Sequence, residues 1–95
     1  MDIRHNEKEH KFFVEVDRGE CSLTYKELSN RLWNFESTQI PESDSDLEKE
    51  ALEKMIEYAI NFVKEKDIKI LVSCFDVQDY LVRHRNLKDL VYHPY

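Results

Sequence analysis

The stretch Lys69-Ile-Leu-Val-Ser-Cys74-Phe-Asp-Val-Gln-Asp-Tyr80-Leu-Val-Arg-His84 decides the fold, because it joins a short apolar strand to an amphipathic helix. Upstream of it, residues 47–63 repeat apolar side chains at helical spacing. A helix between two strands predicts a crossover connection, which makes the two strands parallel. The order of elements therefore predicts a thiol, that of Cys74, at the carboxyl end of a parallel strand, where open α/β sheets usually place ligands.

Three further strands precede this unit. They are predicted over residues 11–16, 21–26 and 32–40, where apolar and polar side chains alternate. Gly19 suits a hairpin turn between the first two strands, and Ser29-Asn30 suits a turn between the second and third. Short turns between successive strands predict an antiparallel meander.

The long helix has a clear start signal. Ser45-x-x-Glu48 is a capping box directly after Pro41 and a run of acidic residues, and the apolar repeat ends near Lys66. We therefore expect an α/β (α+β) domain: a three-strand meander, a long helix, a fourth strand parallel to the third, and a C-terminal helix.

Composition narrows the class of protein. Ninety-five residues correspond to one domain over residues 1–95, and a formal net charge of −6 with a pI near 5.2 opposes binding to nucleic acids or anionic membranes. Two cysteines without a pairing pattern and the lack of an apolar run of about 18 residues predict a cytoplasmic protein with reduced thiols. Four scattered histidines lack metal-ligand spacing, so we expect no metal.

The C-terminal stretch resembles the end of a very small single-domain subfamily of the GCN5-related N-acetyltransferases (GNAT), whose pattern is strand, Cys, Val, Tyr, Arg-His, then Asp-Leu-Val. The matching residues are Cys74, Val77, Tyr80, Arg83, His84, Asp89, Leu90 and Val91. Upstream, Gly19, Tyr25, Thr38, Ile40 and Pro41 fit the same frame. The resemblance implies the acyl-CoA N-acyltransferase fold, acetyl-CoA as cofactor, and acetyl transfer to an amine by direct attack.

The resemblance also implies roles for particular residues. Cys74 and Tyr80 would be the catalytic residues at the acyl centre, and the backbone N–H near Ile40 would polarise the thioester carbonyl. Ile40, Tyr80, Arg83 and His84 would contact the coenzyme. Each residue also has a simpler interpretation: Cys74 as a small buried side chain, Tyr80 and His84 as rings packed inward, and Arg83 as a charge that complements a helix C-terminus.

One segment and two positions depart from the family pattern. The glycine-rich loop that cradles the coenzyme's pyrophosphate is replaced by residues 42–51, which contain five carboxylates and no glycine. Such charges suit a helix N-terminus but repel a pyrophosphate. The histidine that the family places on the strand beside the thiol corresponds to Ser37, and the family's glutamate on the same strand corresponds to Gln39.

Two functions follow from this combination. The first is an acetyl-CoA-dependent N-acetyltransferase with an unknown amine acceptor. The alternative is a non-catalytic protein-interaction module on the same scaffold, with a partner surface between the third and fourth strands lined by Trp33, Phe35 or Tyr80. Exposed sheet edges also make a homodimer plausible in either case.

Overall fold

A computed structural model describes residues 2–16, 19–41 and 46–92, with side chains for all of these except 46–48. One five-stranded sheet has the order β1-β2-β3-β4-β5, antiparallel from β1 to β4 and parallel between β4 and β5. The elements are β1 Arg4–Asn6, β2 Lys11–Val16, β3 Gly19–Ser29, β4 Leu32–Gln39, α1 Asp46–Glu65, β5 Lys69–Val72, α2 Phe75–Arg83 and a 3₁₀ helix, Arg85–Leu90. The predicted α+β architecture, including the parallel pair, is confirmed.

The structure adds one strand and shortens the last helix. The strand β1 was not predicted, because its three residues, Arg4–Asn6, have no apolar alternation. The helix α2 ends at Arg83, where the His84 backbone N–H donates to the carbonyls of Tyr80 and Leu81 at 3.1 and 3.2 Å. The chain then continues as the 3₁₀ helix, so Leu87 and Leu90 pack from a separate turn.

Some predicted features lie outside the described residues. These are Asp17 and Arg18 of the first hairpin turn, residues 42–45 of the acidic segment, and the side chains of the capping box Ser45-x-x-Glu48. Gly19, which follows the turn, has φ +147°, a conformation that L side chains rarely adopt.

The core lies between α1 and the sheet. One stripe of the helix, Ala51, Met55, Ala59 and Val63, is fully buried, and it packs over β2 and β3. The sheet contributes buried side chains from four strands, among them Phe12, Leu23, Phe35 and Ile70. Each large apolar side chain removed from water in this way contributes roughly 1.5–3 kcal/mol. The burial fixes α1 across the sheet and so fixes the crossover to β5.

The C-terminus of α1 is capped without a glycine. The Ile68 N–H donates to the Val63 carbonyl at 2.9 Å, and the Asp67 N–H donates to the Lys64 carbonyl at 3.3 Å. These two bonds are those of a Schellman motif, in which Asp67 takes the left-handed position with φ 57°. Ile68, 6% exposed, enters the core one residue before β5 begins.

We expect Asp67→Gly to raise the free energy of unfolding by up to about 1 kcal/mol, because glycine adopts the left-handed conformation without a Cβ clash. Asp67→Val should lower it by about 1 kcal/mol for the opposite reason. Urea denaturation followed by circular dichroism measures both. Equal effects of the two substitutions would contradict this account.

An aromatic cluster joins β1 to the neighbouring strands and to α1. The His5 ring stacks on Phe12 with centroids 4.2 Å apart, and it meets Phe62 edge-on at 4.7 Å. Its Nε2 lies 2.5 Å from the Tyr25 hydroxyl, and Tyr25 in turn stacks on Trp33 at 4.1 Å. Burial raises the pKa of Tyr25 to about 12 and lowers the pKa of His5 below 6.5. The cluster therefore suits a protonated phenol and a neutral imidazole.

This cluster predicts a pH dependence of stability. The folded-state pKa of His5 is lower than its unfolded value, so the unfolded chain binds more protons as the pH falls below about 6.5. His5 should thus stabilise the fold above pH 6.5 and lose that contribution at lower pH, with a slope of at most about 1.4 kcal/mol per pH unit. Denaturation of wild type and His5→Phe between pH 7.5 and 5 isolates this contribution. A difference between the two proteins that stays constant with pH would contradict it.

Candidate active site

The parallel pairing of β4 with β5 stops half-way along β4. Phe35 opposite Val72 is the last pair, and the Ser73 N–H donates to the Phe35 carbonyl at 2.9 Å. Beyond this point β4 continues to Gln39 against β3, whereas the chain after Ser73 turns into α2. Residues 36–40 therefore lie opposite the start of α2 instead of a further strand, and we refer to this place between β4 and α2 as the split.

A β-bulge in β4 lies where the split begins. Phe35 pairs with Tyr25 of β3, but the next pair is Ser37 with Thr24, so Glu36 is an extra residue in β4. A bulge bends and twists the strand that contains it. This bulge comes directly after the last β4–β5 pair, so β4 changes its twist where its pairing with β5 ends.

Three side chains meet across the base of the split. Cys74, 5% exposed, is the N-cap residue of α2, and its Sγ–H donates to Thr38 Oγ1 over 3.6 Å. The Thr38 hydroxyl donates in turn to Asp76 Oδ2 in the first turn of α2. A carboxylate only accepts and a hydroxyl carries one proton, so this order of donors is consistent at all three groups. We refer to Cys74, Thr38 and Asp76 as the thiol cluster.

The residue on β4 that faces Cys74 is Thr38 rather than Ser37. The Ser37 hydroxyl lies 3.0 Å from Thr24 Oγ1 on β3, and Thr24 Oγ1 also donates to the Ser37 carbonyl at 3.3 Å. The resemblance marked Thr38 as a matching residue without a role, and Asp76 was not singled out. The contact between Thr38 and Asp76 depends on the bulge at Glu36, and the sequence has no pattern that predicts a bulge there.

Ile40 directly follows β4, and its side chain is 45% exposed. It lies at the outer end of the wall of the split formed by residues 36–40. This position is compatible with a backbone N–H that faces a ligand in the split, as the resemblance implies.

Tyr80 and His84 lie away from the thiol cluster. Along α2, Tyr80 is about 9 Å and His84 about 15 Å beyond Cys74. Tyr80 is 5% exposed and stacks on His84 with ring centroids 4.2 Å apart. Burial raises the pKa of the Tyr80 phenol, so it stays protonated at neutral pH. These contacts make the pair part of the packing between α2 and the core.

Arg83 pairs with acidic side chains. Its guanidinium lies 2.9 Å from Glu53 Oε1 on α1 and 3.2 Å from Asp79 Oδ2, one helical turn earlier on α2. The hydrogen bond with Glu53 is the main reason that the pKa of Arg83 is raised. A phosphate at this position would have to exchange for these carboxylates.

Other kinds of site find little support. In the described ranges, no group of three or more His, Cys, Asp or Glu side chains is arranged to hold a metal ion. None of the helices in the described part of the chain has an apolar stretch that could span a membrane.

Comparison with known proteins agrees with this geometry. The structure matches the solution structure of a "GCN5-like putative N-acetyltransferase" from Staphylococcus aureus with a TM-score of 0.69, over 99% of this chain and 90% of that chain. The chain has the GCN5-related N-acetyltransferase fold. Sequence identity to that structure is 20%, so the likeness establishes the fold alone. No protein-family model matches the sequence, and no curated protein matches it.

The position of Tyr80 predicts different effects for its ring and its hydroxyl. We expect Tyr80→Ala to lower the free energy of unfolding by about 3 kcal/mol, because it leaves a cavity beside Val77 and His84. Tyr80→Phe keeps the ring and should change stability by less than about 1 kcal/mol. Urea denaturation measures both variants. A Tyr80→Phe loss as large as that of Tyr80→Ala would mean that the hydroxyl carries the structural role.

Proposed function

We propose that this protein transfers an acetyl group from acetyl-CoA to an amine, with the thioester in the split between β4 and α2. The observation that carries the proposal is the split itself, in a GNAT fold, with the thiol cluster at its base. Beyond Phe35, residues 36–39 have β3 on one side and the split on the other. An extended thioester arm can lie along such a strand and hydrogen-bond to its backbone.

The mechanism requires an electrophilic carbonyl, a bound amine and a proton donor for the departing thiolate. In this proposal the backbone N–H near Ile40 polarises the carbonyl, as an oxyanion donor does. Cys74 lies at the base of the split beside the acyl group. Tyr80 is the proton donor that the resemblance implies, and its raised pKa keeps it protonated. To accept this proton, the CoA thiolate would have to approach the Tyr80 hydroxyl in the substrate-bound state.

The nucleotide end of acetyl-CoA fits this chain less well than the thioester arm. The segment before α1 contains Glu42 and Asp44, and α1 itself begins with Asp46. Carboxylates at a helix N-terminus stabilise the helix but repel phosphates, and salt screens this repulsion. We therefore expect the arm to supply most of the affinity.

Titration of ¹⁵N-labelled protein with acetyl-CoA and with acetyl-pantetheine, which lacks the nucleotide, tests the proposal. Both thioesters should shift the amide signals of residues 36–40 and 73–76. Acetyl-CoA should bind more tightly at 300 mM salt than at 20 mM, because salt screens the repulsion between the carboxylates and the phosphates. An ordinary phosphate site, which is basic, shows the opposite salt dependence. Acetyl-pantetheine, which carries no phosphate, should show little salt dependence.

A pair of charge variants supplies the control. Glu42→Gln with Asp44→Asn should strengthen acetyl-CoA binding at low salt. Glu65→Gln with Asp67→Asn removes the same charge at the other end of α1, about 30 Å away, and should leave the affinity unchanged. The release of free CoA in the presence of a simple primary amine then measures transfer. If neither thioester shifts any amide signal at millimolar concentration, the proposal fails.

One observation favours the non-catalytic alternative. Phe75, next to Cys74, is 79% exposed, and Val82 is 62% exposed beside an apolar groove of about 420 Å³ between α2 and β5. Exposed apolar surface of this kind suits contact with another protein. The aromatic lining expected for such a partner surface is buried instead: Trp33 is 6%, Phe35 0% and Tyr80 5% exposed. Absence of thioester binding in the titration would support this alternative.

A further inference from the structure

The outer face of α2 carries exposed apolar side chains. Phe75 and Val82 are the two most exposed large apolar side chains among the described residues. They lie seven residues apart on α2, so two helical turns bring both to the same face. The apolar groove of about 420 Å³ lies beside this face, and Leu81 of α2 and Leu71 of β5 contribute to its lining. We refer to Phe75, Val82 and the groove as the α2 surface.

Charges of opposite sign lie at the two ends of the α2 surface. Asp76 and Asp79 belong to the first half of α2, whereas Arg85 and Lys88 belong to the 3₁₀ helix that follows α2. Among the described residues that line the groove, Lys88 is the only charged one. No carboxylate in the described part of the chain lies within ion-pair distance of Arg85 or Lys88. A chain with a net charge of −6 thus keeps two cations beside an exposed apolar groove without an acidic partner of their own.

We infer that the α2 surface binds the same surface of a second copy of this chain, with the two α2 helices antiparallel about a two-fold axis. The midpoint between Phe75 and Val82 lies between Gln78 and Asp79. An axis through this midpoint places Phe75 of each copy against Val82 of the other, so the two exposed apolar side chains cover each other twice. The inference is independent of the proposed function, because the interface requires no bound thioester.

The charge distribution fits a second copy in this orientation. In an antiparallel pair, the acidic first half of one α2 helix lies beside the basic end of the other, and the two-fold axis repeats this contact. The helix dipoles act in the same sense, because the N-terminus of each helix lies beside the C-terminus of its partner. A parallel pair would instead bring like charges together, which is unfavourable. The α2 surface is therefore complementary to itself in both apolar area and charge, as an interface about a two-fold axis requires.

The edges of the sheet are the other place where two copies could meet. On one edge β1 has only three residues, and on the other edge Val91 forms a bridge with Ile70 of β5. Short or covered edges offer few free backbone groups for pairing with another strand. The described part of the chain therefore favours the α2 surface over a sheet edge as the contact between copies.

Sedimentation velocity from about 5 to about 500 µM protein tests the inference, and the wild type should form a dimer within this range. Val82→Glu places a carboxylate against Phe75 and the acidic first half of the other α2 helix, so it should raise the dissociation constant at least about 30-fold. Leu28→Glu is the matched control, because Leu28 is also exposed and apolar but lies on β3. This control should change the dissociation constant by less than about twofold. Circular dichroism checks that both variants are folded.

Two charge variants test the antiparallel orientation. Asp79→Lys makes both of the meeting ends basic, whereas Arg85→Glu with Lys88→Glu makes both of them acidic. Each protein alone should therefore have a dissociation constant at least about fivefold above that of the wild type. An equimolar mixture of the two restores opposite charges at both contacts, so its dissociation constant should return to within about threefold of the wild-type value.

Three results would overturn the inference. A wild type that stays monomeric at the highest concentration would leave the groove to a partner of another sequence. A dimer that Val82→Glu leaves intact would have to form elsewhere, for instance at a sheet edge. A mixture of the charge variants that dimerises no better than its components would contradict the antiparallel orientation. None of these measurements uses acetyl-CoA, so their outcome is separate from that of the thioester titration.

Discussion

The parallel pairing of β4 with β5, which ends after four residue pairs, is the constraint on which the rest of the structure depends. It requires a crossover, and α1 supplies this by covering the sheet with an apolar stripe that the core then fixes. Because the pairing ends at Phe35 and Val72, the rest of β4 lies opposite the start of α2, where Thr38 contacts Cys74 and Asp76. The same termination therefore creates the contact between β4 and α2 in which the thiol cluster lies.

The chemistry at the split is set by few residues. The segment that precedes α1 is acidic. The base of the split, by contrast, brings a thiol, a hydroxyl and a carboxylate into one hydrogen-bonded chain.

Much of the fold could be predicted from the sequence, because α1 and the buried strands have strong apolar periodicities. The helix α1 was predicted to end near Lys66 and ends at Glu65, although Asp67 rather than glycine takes the left-handed position of its Schellman motif. The site was less predictable. The thiol at the end of β5 followed from the order of elements, but its neighbours depend on the extra residue Glu36, and a bulge leaves no periodic signal. For that reason the sequence predicted Ser37 beside Cys74, whereas Thr38 lies there.

The two edges of the sheet also have a consequence for association between chains. On one edge β1 offers three residues, and on the other Val91 forms a parallel bridge with Ile70 while the Tyr92 N–H donates to the Ile70 carbonyl at 2.8 Å. Lys69 adds a bond from its ammonium to the Asp89 carbonyl, which holds this segment in place. Long exposed edges invite aggregation, and short or covered ones limit it. The short strand β1 and the segment at Val91 thus leave little free strand edge for pairing with another chain.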